Sequence, residues 1–338
     1  MSPGTTCGRR SRRVPEAEAA KPASNRPGRH LPIGSGRGRH GRGVLYPRWL
    51  WPAFAAPGML WLALFFLLPL YVVLAIAFGS LDPIFRSPIP AWNPLTWDPS
   101  QFQFIFGHLV GAAGFFGPPM ARTFVYVAAA SLVALVVGYP VAYFVARFAG
   151  RRRVLFLALL LAPFCVSYMM RMLAWVNLLQ VDGLVNHTFG IFGVTPIAWL
   201  SGQPITVILG LVYGYIPYMI LPLYAGLDRI DNSLLEAARD LGAGRFSTFR
   251  RVTLPMSRPA ILTGLLIVSL PMFGDYFTND LLSGSPRTSM LGNLINTAVT
   301  TPGEAAEGAA FVLLLFALLI PPMVYYARST SRQSMADA

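Results

Sequence analysis

The stretch LLEAARDLGAGRFSTFRRVTLP, residues 234–255, carries a cluster of charge between two long apolar runs. Ser233 and Glu236 have the three-residue spacing of a capping box, which predicts that a helix begins here. Gly242 follows that helix and supplies the left-handed residue that commonly ends one. A second, basic helix is predicted after the turn, and Pro255 is expected to prevent its continuation. The stretch therefore predicts a bent pair of short polar helices.

Small residues mark the point where the two helices bend. Leu234, Ala238 and Leu241 share one face of the first helix by their spacing. Gly242 and Gly244 would allow another backbone to approach closely. An amphipathic loop helix resting on the membrane surface is the simpler alternative. That alternative does not explain the small residues or the sharp bend, so we favour a docking surface for another protein.

The rest of the chain has the composition of a polytopic membrane protein. Of its 338 residues, 54% are hydrophobic and 12% are charged, and the mean hydropathy is +0.53. Six apolar runs are each long enough to span a bilayer as a helix. We place these runs at residues 58–78, 123–146, 154–178, 205–227, 260–282 and 309–326.

The net charge of +13 is concentrated in segments that would lie on one side of the membrane. Eleven of the 27 basic residues lie within the first 50, and most others border the apolar runs. Residues 229–258 hold six arginines, whereas no basic residue lies between positions 176 and 203. The positive-inside rule then places both termini and residues 229–258 in the cytoplasm. A nucleic-acid partner is not favoured, because the basic residues do not cover a folded surface.

Composition divides the chain into four parts. Residues 1–48 form an Arg-rich cytoplasmic tail that is predicted to be disordered; an anchor to anionic lipid and a non-native upstream start are the alternatives. Residues 49–120 hold the first transmembrane helix and an extracytoplasmic loop. Residues 121–328 form the transmembrane core, which includes residues 229–258. Residues 329–338 are a second cytoplasmic tail.

Residue patterns for catalysis or metal binding are not visible. The four histidines and two cysteines do not cluster or show metal-ligand spacing. Lys21 is the only lysine, so the chain contains no P-loop. No pairing of a nucleophile with a base can be recognised. The sequence therefore predicts neither an enzyme nor a cofactor bound by this chain, and a separate subunit would have to hydrolyse any ATP.

One spaced motif carries a resemblance to a known family. The order is Glu-Ala-Ala at residues 236–238, three residues, Gly242, nine residues, and Val-Thr-Leu-Pro at residues 252–255. It resembles the EAA signature of ABC-importer permeases, with Val252 in place of isoleucine as the one departure. In that family the motif forms a coupling helix that sits in a groove of the ATPase subunit. The resemblance implies ATPase-coupling roles for Glu236, Ala237, Ala238, Leu241, Gly242, Gly244 and Pro255. Residues 229–258 are called the EAA segment below.

Three further stretches extend the resemblance over about residues 124–328. APFCVSYMMRMLAW (162–175), GLVYGYIPYMILPLY (210–224) and LPMFGDYFTNDLLSG (270–284) look like permease subunits of spermidine/putrescine-type importers. The implied fold is an all-α integral membrane protein, a six-transmembrane-helix type I ABC importer permease with a cytoplasmic coupling helix. The tail before residue 45 falls outside the resemblance.

The same resemblance implies the assembly in which the chain works. It would sit in the bacterial inner membrane beside a second permease subunit, two copies of an ATPase subunit and an extracytoplasmic solute-binding protein. A polyamine is the expected solute. An opine, an amino-acid derivative or a phosphonate in the same machinery is the alternative. An ion-coupled secondary transporter is less favoured, because it would leave the EAA motif unexplained and no internal repeat is visible.

Charged residues within the apolar runs are candidates for the substrate path. Asp275 and Asp280 would lie about 22 Å and about 30 Å along a single fifth helix, near its outer end. This anionic pair could attract a polycation, with Tyr276 packing against its methylenes or ammonium. Arg171 would lie near the outer end of the third helix. The alternative is structural: Arg171 would hold two helices together by pairing with Asp275 or Asp280.

Overall fold

The computed structural model describes residues 50–109 and 115–336, with side chains described for residues 53–109 and 115–328. Two compact units divide the chain, one up to Pro57 and the other from Gly58. The first unit is described only from Leu50, within the opening helix. The predictions for the tail at residues 1–48 lie outside the described residues.

Helices make up most of the described chain. The bounds are α1 Leu50–Ala77, α2 Ser100–Leu109, α3 Gly117–Arg147, α4 Arg153–Leu161, α5 Tyr168–Leu179, α6 Leu184–Ile191, α7 Pro204–Asp228, α8 Asn232–Asp240, α9 Arg245–Thr248, α10 Leu254–Met256, α11 Arg258–Phe273, α12 Phe277–Leu282, α13 Leu291–Thr300 and α14 Ala305–Ala336. A π-helical segment, Phe249–Thr253, separates α9 from α10. Short 3₁₀ helices lie at Pro94–Thr96, Gly150–Arg152 and Ala162–Cys165.

The described residues contain one small sheet, in the loop after α1. Strand β1 (Ser80–Leu81) pairs antiparallel with β2 (Pro88–Ile89), and Ser80 lies opposite Ile89. The side chain of Asp82 accepts hydrogen bonds from the amides of Ile84 and Phe85, which closes the turn between the strands. The hairpin belongs to the predicted extracytoplasmic loop.

The six predicted spans correspond to four unbroken helices and two bent pairs. The unbroken spans are Ala53–Ala77, Gly117–Arg147, Pro204–Asp228 and Ala305–Arg328. The predicted third span is instead broken, and its two halves, Gly150–Cys165 and Tyr168–Ile191, meet at 85°. Pro163 lies in the 3₁₀ turn before the break, and Val166 is extended, so the helix cannot continue.

The predicted fifth span is also wrong as a single helix. Segments Arg245–Met256 and Arg258–Phe273 meet at 60°, and the helix then ends at Gly274. Residues 277–282, which we had placed at the end of this span, form the separate short helix α12. The distances of about 22 Å and about 30 Å along one helix therefore do not apply to Asp275 and Asp280.

Helices α3, α7 and α11 pack together as the main core. Their buried side chains include Ala130, Leu211, Met219 and Val268. Lipid is as apolar as these side chains, so close van der Waals packing rather than the hydrophobic effect holds such helices together. Gly138 on α3 fits this rule, since a Cβ there would lie 3.2 Å from Ile220 Cγ1 and 3.3 Å from Met219 Cγ.

Candidate functional site: the EAA turn and the Asp275 cavity

Helix α8, the first helix of the EAA segment, begins earlier than the sequence predicts. Helix α8 begins at Asn232 with Asp231 as its N-cap, and no side chain caps it. The predicted capping box of Ser233 and Glu236 is therefore wrong. The guanidinium of Arg147 explains the difference: it donates to the side-chain oxygen of Asn232 and to the carbonyl oxygen of Ile230, which fixes the chain before Ser233 is reached.

Gly242 ends α8 as predicted. Its φ is +82°, in the left-handed region that favours glycine. Its amide donates to Arg239 O at 2.8 Å, and the next amide, of Ala243, donates to Ala238 O at 3.0 Å. These bonds satisfy two carbonyl groups at the helix end. A Cβ at either Gly242 or Gly244 would meet no atom within 4 Å, so the turn faces open space.

Pro255 does not end the second helical part, contrary to the prediction. The π-helical segment comes first, and Leu254 N bonds to Phe249 O, five residues back. Pro255 is the second residue of the new turn α10, where an amide hydrogen is not required. The chain then stays helical until the bend at the buried Ser257.

Most of the predicted coupling residues lie together on an exposed surface. Leu235 is the one described residue of α8 that is buried, so its side chain anchors the helix to the rest of the protein. Leu234 and Leu241, which their spacing assigns to one face of the helix, are both exposed, and Leu241 reaches 89%. Phe246, which sequence reasoning missed, is 76% exposed on the other arm of the turn. The exposed members of the predicted set are Glu236, Ala237, Leu241, Gly242 and Gly244, whereas Ala238 and Pro255 are half-buried.

Asp275 is a buried carboxylate in the break between α11 and α12. It accepts hydrogen bonds from the hydroxyls of Tyr168 at 3.1 Å and Tyr215 at 3.0 Å. Thr278 donates twice, from its amide at 2.9 Å and from its hydroxyl at 2.8 Å. All these partners are neutral donors, and the carboxylate forms no ion pair with a basic side chain in the described part of the chain.

A cavity of about 360 Å³ opens beside this carboxylate. Its walls come from α5, α7 and the α11–α12 break, and the polar and aromatic lining residues are Tyr168, Arg171, Tyr215, Tyr218, Asp275, Tyr276 and Phe277. We call it the Asp275 cavity. It contains three of the four predicted substrate-path residues. Sequence reasoning missed the three tyrosines of α5 and α7, although all three interrupt apolar runs as phenols that need a hydrogen-bond partner.

Arg171 does not form an ion pair with Asp275 or Asp280, which was the structural alternative to a role in the substrate path. The ion pair found among the described side chains joins Arg153 and Asp228, 3.3 Å apart near one end of α7. The Arg171 guanidinium lies over the Phe164 ring, 4.3 Å from its centre. Its Nε and Nη1 atoms are buried and have no hydrogen-bond partner in the described part of the chain. Cation–π contact with a ring face replaces the expected salt bridge.

Asp280 lies outside the Asp275 cavity. It is an exposed residue in the first turn of α12, and it accepts a 2.6 Å hydrogen bond from the side-chain amide of Asn293. The same amide group also donates to Tyr276 O. Asp280 therefore ties α12 to α13, and the predicted anionic pair of Asp275 and Asp280 does not line one site.

A metal centre is not found within residues 50–109 and 115–336, where no group of three His, Cys, Asp or Glu side chains comes together. Two sites remain. One is the exposed bend at residues 236–246 of the EAA segment, which we call the EAA turn, and the other is the Asp275 cavity. Such a pair, a projecting polar turn and a cavity between membrane-spanning helices, fits a transporter that a separate protein drives.

Comparison with known proteins identifies the class. Residues 134–334, more than half of the chain, match the family described as "binding-protein-dependent transport system inner membrane component". The chain therefore belongs to this family of membrane transport permeases.

The curated relatives narrow the class further. The spermidine/putrescine transport system permease protein PotB of Haemophilus influenzae is 35% identical over 274 residues, which cover 79% of this chain and 89% of the relative. PotB of Escherichia coli K12 is 36% identical over 203 residues, or 60% and 73% of the two chains. The inner membrane ABC transporter permease protein YdcU of the same organism is 28% identical over 220 residues, or 61% and 70%. The chain is accordingly an ABC importer permease.

Solved structures support the fold alone. A bacterial alginate ABC transporter, crystallised with an alginate pentasaccharide-bound periplasmic protein, has a chain that matches with a TM-score of 0.66 at 17% identity. The match covers 84% of this chain and 94% of that one. The prediction of an all-α ABC permease fold is confirmed.

Proposed function

We propose that this chain is one of two permease subunits of an importer for polyamines such as spermidine and putrescine. The complex would contain two copies of an ATPase subunit, one of which would bind at the EAA turn of this chain, and an extracytoplasmic binding protein would deliver the solute. Binding and hydrolysis of ATP would shift the helix bundle between inward-open and outward-open states, which requires contacts that differ between the two states.

The Asp275 cavity carries the polyamine proposal. A buried carboxylate with neutral hydrogen-bond partners can attract an ammonium group, and tyrosine faces stabilise cations and pack on methylene chains. The names of the two PotB relatives agree with this chemistry. Asp275 and Tyr276 are thus proposed as substrate-path residues, together with Tyr168, Tyr215 and Tyr218. Asp280 is proposed only as a support for α12.

The exposed EAA turn supports a coupling role. Glu236, Ala237, Leu241, Gly242 and Gly244 face open space, and Ala238 lies beside them. Small exposed residues let a partner's backbone come close. The chain lacks a P-loop, so we infer that the partner binds and hydrolyses ATP while this chain binds no cofactor and catalyses no reaction. We propose that both termini and the EAA segment lie in the cytoplasm, which the arginine distribution supports.

Uptake of labelled spermidine and putrescine tests the proposal. Cells that lack this gene, cells with the gene restored, and restored cells with the cognate ATPase silenced are compared in a strain without other polyamine importers. Loss, rescue and ATPase dependence are the expected results. Uptake that is unchanged by the deletion would refute the polyamine as substrate.

Arg171 favours a second candidate, an amino-acid derivative such as an opine. Arg171 lines the same cavity as Asp275, and its buried Nε and Nη1 have no hydrogen-bond partner among the described residues. A ligand carboxylate that reached the guanidinium could accept from it. The two solutes respond differently to Arg171→Met. For a polyamine, removal of the Arg171 cation should lower the KM or leave it unchanged. For a solute that carries both an amine and a carboxylate, it should raise the KM.

A further inference from the structure

Arg147, the last residue of α3, contacts the start of the EAA segment. Its Nη2 donates to Leu227 O at 3.0 Å and to Ile230 O at 2.9 Å. Its Nη1 donates to the side-chain oxygen of Asn232 at 2.8 Å. One guanidinium therefore joins the end of α7, the connecting turn and the first residue of α8.

The chemistry of these acceptors explains why an arginine is required. Carbonyl groups in the last turn of a helix have no partner within the helix, and a cation there also interacts favourably with the helix dipole. The planar guanidinium can donate in several fixed directions at once, whereas a lysine ammonium is a compact point charge. A lysine at position 147 would therefore reach only some of these three acceptors.

The other end of the EAA segment also contacts α3. The hydroxyl of Tyr139 lies 2.9 Å from the hydroxyl of Ser257, the buried residue at the bend before α11. Phe249, in the π-helical segment, packs edge-on against Tyr139 and Tyr143, with ring centres 5.8 Å apart in both cases. The return arm is thus fixed to α3 by one hydrogen bond and two aromatic contacts.

Tyr139, Tyr143 and Arg147 are spaced four residues apart and so form one stripe along α3. We call these three residues the α3 stripe. We propose that the α3 stripe is a positioning device that holds both ends of the EAA segment and passes displacement of the EAA turn to the core of α3, α7 and α11. This proposal rests on the coupling function proposed above.

The exposed EAA turn differs in its surroundings from the two attachments of the EAA segment to α3. Between the two attachments, a Cβ added at Gly242 or Gly244 would meet no atom of the described chain within 4 Å, so this part of the turn is open to a partner. At the attachments, buried or half-buried groups bind the segment to α3, which itself packs closely against α7. A force applied at the turn therefore acts on α3 at two points about two helical turns apart, rather than bending a free loop.

The test uses the whole importer, with both permeases and the ATPase, reconstituted in vesicles with its binding protein. The variants are Arg147→Met, Arg147→Lys, Tyr139→Phe and the control Arg151→Met, which changes an exposed arginine nearby. Solute transported per ATP hydrolysed should fall about tenfold in Arg147→Met, because hydrogen bonds to charged groups are lost. Tyr139→Phe should lower this ratio less, Arg147→Lys should restore part of it, and Arg151→Met should leave it unchanged.

Amide hydrogen exchange provides a second measurement that does not depend on transport. Exchange at residues 227–232 should rise in Arg147→Met, and exchange around Ser257 should rise in Tyr139→Phe. Unchanged exchange in both variants would show that the α3 stripe does not hold the segment. Raised exchange with an unchanged transport-to-ATP ratio would overturn its role in coupling. If the unmodified complex transports no solute with ATP, the proposed function fails. The exchange data still show whether the α3 stripe holds the EAA segment against α3.

Discussion

At the scale of single residues, Asp275 is a buried carboxylate that forms no ion pair with a described basic side chain. Its side chain is 8% exposed, and its hydrogen-bond donors are two phenols and one threonine. The nearest candidate cation, Arg171, faces the rings of Phe164, Tyr168 and Tyr213. A mobile cation that enters the cavity therefore meets a carboxylate that forms no ion pair with any basic side chain in the described part of the chain.

Asp275→Asn should raise the KM for spermidine uptake by about tenfold or more, because a charge-assisted contact to an ammonium is worth about 1.5–3 kcal/mol. Tyr215→Phe removes one neutral donor and should raise the KM by less. Asp182→Asn, a change at an exposed carboxylate in another loop, serves as the matched control. Initial uptake rates over a range of spermidine concentrations measure the effect. A KM in Asp275→Asn equal to that of the control would remove Asp275 from the substrate path.

Gly242→Asp should leave the protein inserted but prevent coupling, since a carboxylate would be forced into a close contact with the ATPase subunit. The matched control is Gly150→Asp. Both glycines have positive φ, +82° and +50°, and a Cβ at either site would meet no atom within 4 Å. The backbone strain is therefore similar in the two variants.

Co-purification of the ATPase and ATP-dependent uptake are the measurements for this pair. We expect both to be lost in Gly242→Asp and retained in Gly150→Asp. Normal transport by Gly242→Asp would contradict the docking role of the turn.

At the scale of elements, the sequence predicts where helices exist better than where they break. Hydropathy averaged over the apolar run at residues 260–282 does not reveal its interruption, although Pro271 and Gly274 lie close to the break. The break depends on Asp275, whose carboxylate accepts from the amide of Thr278 and from two tyrosines on other helices. Two of those three partners are more than fifty residues away in sequence, so local patterns cannot reveal them.

Gly138→Leu should destabilise the packing of α3 against α7 by about 2 kcal/mol, because the added atoms would overfill a close-packed contact. The control is Gly58→Leu on α1, where a Cβ meets no atom within 4 Å. Unfolding of the purified permease in detergent, followed by tryptophan fluorescence, compares the two variants. Equal stability of both would show that α3 and α7 do not pack as closely as described.

At the scale of the whole molecule, composition and charge predict the class of protein. They do not predict which side chains contact each other between the helices. The hydrophobic fraction predicts a multi-pass membrane protein, and the EAA spacing predicts the permease family to which the chain belongs. The pairing of Arg171 with aromatic rings could not be predicted in the same way. It depends on Phe164 and Tyr213, which the break in the third span and the packing of α7 bring together.

The proposed orientation predicts which residues a membrane-impermeant maleimide can reach in intact spheroplasts. Single cysteines replace Leu95, 92% exposed in the loop after α1, and Leu241, 89% exposed in the EAA turn. The background carries serine at positions 7 and 165, which removes both native cysteines. Leu95→Cys should be labelled in intact spheroplasts and Leu241→Cys only after lysis. Labelling of Leu241→Cys before lysis would reverse the orientation.

The π-helical segment Phe249–Thr253 has a consequence for the evolution and engineering of this chain. One extra residue within a helical turn rotates every following side chain by about 100° relative to a regular α-helix. That rotation allows Thr253 and Ser257 to be buried while Arg250 and Arg251 stay exposed. Insertions and deletions here should therefore be far less tolerated than substitutions. A deletion of Arg250, compared with Arg250→Ala in an uptake assay, would measure how strictly the length of this segment is fixed.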